Sequence, residues 1–295
     1  MKPARFEYLD PTTLPEALAL LQQYGDEGKV LAGGQSLLPL LYMRLATPRY
    51  LIDVNRVAGL DAVRVEGDTL CIGAVARQRA VERAAPVQAG WPLVAEATRL
   101  VGHVPIRNRG TFGGSVAHAD PSAELPAVVA ALDGTLRVAS AQGERTLAAD
   151  DFFLTYLTTA VEPTELLVEV RLPAPPPASG WAFLEVSRRQ GDFALVGVAC
   201  LLALEADGRH VAAARLAFTG VGGTPLRARD AEAGLVGAVA GPDAFAHAAT
   251  LAQAAAEPDS DLHASADYRR HLVGVLARRA LARAHERARP VPSTA

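Results

Sequence analysis

Two pairs of adjacent glycines stand in surroundings that suit an anionic ligand. The first lies in Val30-Leu31-Ala32-Gly33-Gly34-Gln35-Ser36-Leu37 and the second in Thr111-Phe112-Gly113-Gly114-Ser115, about 80 residues further on. Two missing Cβ atoms let backbone N–H groups come close to a phosphate, and a helix leaving the turn adds its own free N–H groups. No Lys-Ser or Lys-Thr closes the first turn, so it is not a P-loop, and the Gly-x-Gly-x-x-Gly fingerprint is absent. Alone, such a turn is equally an ordinary tight turn. Two of them, the second flanked by the hydroxyls of Thr111 and Ser115, can clamp one pyrophosphate from both sides. Arg107 and Arg109 either add charge there or sit solvated beside a turn. His118, just beyond the second pair, reads as a cofactor contact or a surface loop histidine.

Other chemistries lack their residues. Cys71 and Cys200 are the two cysteines of the chain, whereas an iron–sulfur cluster or a four-cysteine zinc site takes about four. Both lie in apolar stretches and read as buried thiols. The seven histidines show no His-Glu-x-x-His spacing, so no metal is expected. No Gly-x-Ser-x-Gly turn presents a nucleophile. No catalytic residue is assigned.

The glycine turns need elements to hold them. Val30-Leu31, Tyr50 to Val54, Leu70 to Ile72 and Leu136 to Val138 read as strands. Leu14 to Tyr24 reads as a helix capped by Thr12 or Thr13, with Pro15 and Glu16 in its first turn. Val94 to Val101 and Leu125 to Leu132 read as further helices. The run Pro173-Ala174-Pro175-Pro176-Pro177 marks a linker, because prolines at this density donate no backbone hydrogen bonds and favour extended chain. Beyond it, Trp181 to Val186, Phe193 to Leu204 and Val211 to Thr219 read as strands, the last two joined by a turn at Asp207-Gly208. From Arg227 onward the pattern is helical, and Tyr268, Leu272, Val275, Leu276 and Ala280 mark one helix face. Both halves are α+β. The expected division is 1–175, with lobes of about 1–56 and 57–175, then 176–290 and a tail at 291–295.

Composition sets the broad class. With 295 residues, 50% hydrophobic and 21% charged, the chain is long enough for two folded domains and is not disordered as a whole. The formal net charge of −3 gives no general attraction for nucleic acid. The final arginine-rich helix, with Arg269, Arg270, Arg278, Arg279, Arg283 and Arg287, reads as a solvated or partner-facing surface, because no aromatic residues are interleaved for base stacking. No apolar run approaches the ~18 residues of a membrane span, so a cytoplasmic location is the default, with peripheral membrane contact left open.

The two glycine motifs together resemble the paired flavin motifs of the FAD-binding medium subunit of molybdenum hydroxylases. This is the xanthine dehydrogenase family, and the likeness is strongest to the carbon monoxide dehydrogenase type. Phe6-Glu7-Tyr8, Ile106-Arg107-Asn108, Asp151-Phe152-Phe153, Ser187-Arg188-Arg189-Gln190-Gly191-Asp192-Phe193 and Tyr268-Arg269-Arg270 fit the same pattern, so the resemblance spans nearly the whole chain. It implies a two-lobed FAD-binding domain of the PCMH (vanillyl-alcohol oxidase-like) type, followed by a C-terminal domain of a small antiparallel sheet and a helical cluster. It further implies that Val30 to Leu37 and Thr111 to Ser115 hold the FAD pyrophosphate and that Glu124 meets FAD hydroxyls. In the same way Leu167 packs near the flavin ring, Phe193 covers it, and Val101 makes a further contact. Gln35, Phe112 and Phe193 depart from the pattern of the carbon monoxide type, which often carries histidine, isoleucine and tyrosine there.

The activity implied is electron transfer. FAD on this chain would take electrons from [2Fe–2S] clusters on a small partner subunit and pass them to an external acceptor. A large partner would carry the molybdenum–pterin cofactor and choose the substrate, and the assembly implied is a dimer of such heterotrimers. The alternatives are a self-sufficient flavin oxidase acting on a small molecule, and a flavin-free scaffold subunit.

Overall fold

The computed structural model describes residues 2–288; the expected tail at 291–295 lies outside the described residues. The chain opens with β1 (Glu7–Leu9), α1 (Leu14–Tyr24), β2 (Gly28–Leu31), α2 (Leu37–Tyr42) and β3 (Tyr50–Asp53). The three strands form a parallel sheet with β3 at its centre. Parallel neighbours need a crossover connection, and α1 supplies one. Thr13 caps α1, accepting from the Glu16 N–H while the Glu16 carboxylate takes the Thr13 N–H, so two otherwise orphaned donors are satisfied reciprocally. Ala17, Leu18 and Leu21 then bury one face of the helix.

The next stretch is an antiparallel sheet with helices inserted into it. It runs β4 (Val63–Glu66), β5 (Thr69–Gly73), α3 (Gln78–Arg83), α4 (Ala85–Gly90), α5 (Pro92–Leu100), α6 (Val104–Arg109), α7 (Phe112–His118) and α8 (Glu124–Ala131). It returns through β6 (Thr135–Ser140), β7 (Gly143–Ala148), α9 (Ala149–Phe152), a small hairpin of β8 (Phe153–Thr155) and β9 (Thr158–Thr159), and β10 (Leu166–Pro173). The sheet order is β4-β5-β10-β6-β7, every neighbour antiparallel. Sequence reasoning read the second glycine pair as a turn. It lies instead in the first turn of α7, which follows α6 after only Gly110 and Thr111. Thr111 is the N-cap of α7 and accepts the Gly114 N–H at 3.0 Å, an arrangement the short helices were too brief to announce by periodicity.

After the proline-rich connection come β11 (Ser179–Ser187), β12 (Ala194–Leu204), β13 (Val211–Thr219), β14 (Leu226–Arg227), α10 (Arg229–Leu235), α11 (Pro242–Ala255) and α12 (Ala266–Arg287). The strands pair antiparallel in chain order. β12 is buried along its whole length, because both faces of this sheet are covered, and its unbroken apolar run is the signature of such a strand. One face presents Val198, Cys200, Leu202 and Leu216 to the core shared with α10, α11 and α12. The other presents Phe183, Ala199, Leu201 and Ala217 to the core of the preceding domain.

On α12 the buried face is Leu272, Val273, Leu276, Ala277, Ala280, Leu281 and Ala284. Tyr268, expected on that face, is exposed, and Val275 is only half-buried. The two ran ahead of the true stripe because the small residues Ala277, Ala280 and Ala284, which pack closest, carry little hydropathy signal.

The contact between domains is polar at three points. Glu96 on α5 accepts from the Trp181 indole at 3.1 Å, the Phe183 N–H at 3.2 Å and Arg287 at 2.7 Å. The Thr219 hydroxyl lies 2.5 Å from the Pro121 carbonyl and 3.0 Å from that of Ala123. Arg227 donates to the Ala130 carbonyl at 2.6 Å and to Asp133 at 2.8 Å, and pairs with Glu232 at 2.8 Å.

Candidate flavin-binding site

The first glycine turn leaves the carboxyl end of β2, and α2 starts directly after it. Gly34 has φ +73°, a left-handed conformation that glycine adopts without steric cost. The Gln35 side chain folds back to donate to the Gly33 carbonyl at 3.0 Å. Among the described residues, no protein acceptor meets the N–H groups of Gly33, Gly34, Gln35, Ser36 or Leu37. Five successive amides without partners form a concentrated anion-seeking surface, since backbone donors almost always find an acceptor in a folded protein.

The second turn lies against the first. A Cβ on Gly33 would stand 2.6 Å from the Arg109 carbonyl oxygen and 2.6 Å from the Gly110 Cα. A Cβ on Gly114 would come within 3.6 Å of the Ala32 side chain. The two motifs, distant in sequence, are therefore packed backbone to backbone.

The amides of the second turn are arranged differently from the sequence expectation. The Phe112 N–H donates to the Ala76 carbonyl at 2.9 Å and the Gly113 N–H to that of Ala74 at 3.1 Å. Gly114 and Ser115 donate to Thr111. These groups are used in fixing α7 against the segment after β5, so free amides are supplied by the first turn. The glycines of the second turn serve close packing: a Cβ on Gly113 would lie 2.5 Å from the Ala74 Cα. Phe112 is fully buried beneath them.

Two polar residues that sequence reasoning missed tie the turns together. The Asn55 carboxamide donates to the Ala32 carbonyl at 2.7 Å, and its oxygen accepts from Arg77 at 2.8 Å. Arg77 also donates to the Arg109 carbonyl. Burial, and then the neighbouring Arg109 charge, lower the Arg77 pKa from the usual guanidinium value. Neither residue belongs to a motif.

The remaining expected residues spread outward from this point. His118 ends α7; burial lowers its pKa, while Asp120 nearby opposes that shift and Lys29 on β2 adds to it. Glu124 opens α8 and is 4% exposed; desolvation first, then Glu185 and Asp120, push its pKa up to about 8. Leu167, on β10, is buried in the core, next to Val168, whose carbonyl accepts the Ala74 N–H at 3.0 Å. The Val101 carbonyl accepts from Arg107 at 2.9 Å, and Arg107 pairs with Glu82 at 3.1 Å, both side chains buried. Phe193 stands 58% exposed just before β12. Its loop turns at Gly191, φ +88°, where a Cβ would strike the His103 ring at 2.4 Å. That contact brings the Phe193 loop onto the start of α6, beside Val101.

Free amides on one turn, with a second turn locked against it, suit an anionic ligand such as the pyrophosphate of a dinucleotide. The comparisons with known proteins specify the family. Residues 4–175 match the FAD binding domain in molybdopterin dehydrogenase, and residues 181–284 match the CO dehydrogenase flavoprotein C-terminal domain. The chain belongs to this family of FAD-carrying oxidoreductase subunits.

It is 40% identical over 290 residues to the 6-hydroxypseudooxynicotine dehydrogenase complex subunit alpha of Paenarthrobacter nicotinovorans, covering 98% of each chain. It is 40% identical over 288 residues to the caffeine dehydrogenase subunit beta of a Pseudomonas species, covering 97% of each. A solved carbon monoxide dehydrogenase from Hydrogenophaga pseudoflava superposes with a TM-score of 0.95 at 42% identity, over 98% of this chain and 100% of that one. Relatives are thus named as subunits of multi-subunit dehydrogenases, which implies partner subunits for this chain. No helix among the described residues is long and apolar enough to cross a membrane.

Proposed function

We propose that this chain is the electron-transfer subunit of a cytoplasmic molybdenum hydroxylase, its FAD seated on the two glycine turns. Bound there, FAD would supply two-electron and one-electron redox chemistry between partner [2Fe–2S] clusters and an external acceptor. The observation that carries the reading is the row of five unpartnered amides from Gly33 to Leu37, held against the second turn by the Asn55–Arg77 pair. Those amides suit the pyrophosphate. Thr111 and Ser115 border it, and Glu124 suits a hydroxyl of the ribityl chain. Val101, His118, Leu167 and Phe193 bound the space beyond.

The two cysteines are both buried and free, so the iron–sulfur clusters belong to a small partner and the molybdenum–pterin to a large one, in a dimer of heterotrimers. The substrate of the whole enzyme is chosen on that large partner. The family matches and the sheet arrangement support domains at 1–175 and 176–290.

Purification of the chain and its visible spectrum test the reading directly. Bound flavin, or stoichiometric uptake of added FAD with quenching of its fluorescence, is the expected result. A colourless chain that takes up no FAD overturns it.

A further inference from the structure

The helix α2 is apolar on every side, yet it lies at the surface. A helix without a polar side is ordinarily buried. Between Lys29 and Arg49 the one charged residue is Arg44, and its Nε is held by the Lys2 carbonyl at 3.2 Å. Leu41 is the one buried residue of the helix. Pro39, Tyr42 and Met43, spaced three and four apart on one helix face, are exposed, as is Leu45 just beyond; Met43 is 54% exposed and Leu45 72%.

The end of α2 keeps this face together. The Leu45 N–H donates to the Leu40 carbonyl at 2.9 Å, and the Arg44 N–H donates to that of Leu41 at 3.1 Å. This is a Schellman closure, which sets Leu45 beside Leu40 instead of letting the chain run on. It requires Arg44 to take φ +57°, the left-handed region where glycine is usual. Leu45 thereby extends the apolar face of the helix.

We propose that this face is the docking surface for the partner subunit that carries the [2Fe–2S] clusters. This rests on the electron-transfer reading above. α2 starts directly after the first glycine turn and is six residues long, so at 1.5 Å per residue its far end lies about 9 Å from that turn. A subunit exchanging electrons with FAD has to pack close to the cofactor; the substrate-binding partner does not. Permanent interfaces are more apolar than transient ones, and their cores are rich in methionine and aromatic residues and poor in charge. A single cation, tied to the Lys2 carbonyl, is too little for a nucleic acid or an anionic lipid surface, which take clusters of Lys and Arg. Relatives are named as subunits of multi-subunit dehydrogenases, so a permanent partner is the occupant to expect.

The test is purification of the complex through a tagged copy of this chain, with FAD, iron and partner chains counted per tagged chain. Wild type is expected to bring down an equal amount of a chain with the absorption and EPR signals of [2Fe–2S] clusters. Met43→Glu combined with Leu45→Glu puts two carboxylates into the contact. FAD content and melting temperature should stay at wild type, while the iron–sulfur chain falls at least tenfold. The milder pair Met43→Ala and Leu45→Ala should lose it in part. If both variants keep that chain at the wild-type ratio, the proposal is overturned while the flavin reading stands. The same holds if they lose only self-association of the isolated chain on a sizing column, or only binding to phosphatidylglycerol vesicles. If the wild-type complex carries no FAD, or FAD but no iron–sulfur chain, the electron-transfer reading falls as well.

Discussion

The Asn55 carboxamide and the Arg77 guanidinium bond each other at 2.8 Å, and each holds the carbonyl of a different glycine turn. The pair is a bracket. It converts two turns distant in sequence into one rigid surface, and preorganisation of this kind determines how much binding energy survives. Replacing Asn55 by Ala, or Arg77 by Ala, removes hydrogen bonds among half-buried and exposed groups and should cost about 1 kcal/mol in stability. FAD affinity should fall with it. Because the two residues share one network, the double variant should lose less than the sum of the singles, a result denaturant titration will resolve.

Gly33→Ala is expected to be far more harmful than its size suggests. The added methyl would meet the backbone of Arg109 and Gly110 at 2.6 Å, and backbone cannot rotate away. The turns should separate and FAD affinity drop at least tenfold. Gly90→Ala, where nothing lies within 4 Å, is the matched control and should bind FAD as wild type does.

Glu124 makes stability depend on pH. Its folded pKa, about 8, lies above the ordinary value of 4.5, so the folded chain binds more protons than the unfolded one between those limits. Stability is therefore greatest below about pH 4.5 as far as this group is concerned, and declines as pH rises to about 8. A tenfold difference in acidity is worth about 1.4 kcal/mol, which makes the whole decline of order a few kcal/mol. Thermal melts of the flavin-free chain should fall across this window, and Glu124→Gln should flatten the decline.

The Arg227 guanidinium is 5% exposed and joins Asp133, the Ala130 carbonyl and Glu232. Asp133 follows α8 in the FAD-binding domain, whereas Glu232 lies on α10, so one side chain pins both domains. Arg227→Met strands Glu232 as a buried unpaired charge, and about 3–5 kcal/mol should be lost. Equilibrium denaturation followed by tryptophan fluorescence checks this.

Cys200 is enclosed in the C-terminal core, where burial and then Glu232 push its thiol pKa up; burial and Glu169 also raise Cys71. Neither should react with a thiol reagent in the native chain at pH 8. Both should react once denaturant is added, which counts the free thiols.

Much of this was legible in the sequence where a residue's role is local. The Thr13 cap, the strands at Tyr50, Leu70 and Leu136, and the Asp207-Gly208 hairpin each follow from neighbours a few positions away. The glycine pairs were visible because glycine repeats are rare enough to notice. What they do was only half visible. Gly113 reads as a phosphate cradle, yet its missing side chain makes room for Ala74, and that contact is made across the fold. Asn55 and Arg77 were invisible for the same reason. A single polar residue carries no periodicity, and its importance arises from what tertiary structure sets opposite it. Tyr268 was misplaced because hydropathy weighs side-chain size, while α12 packs by smallness.

The double-sided burial of β12 has one further consequence. The sheet that carries it is simultaneously the floor of one domain and the wall of the next, so the proline-rich connector between Pro173 and Ser179 bears no mechanical load. A protease site engineered into that connector could be cut to completion, and the two halves would still travel as a single particle through a sizing column.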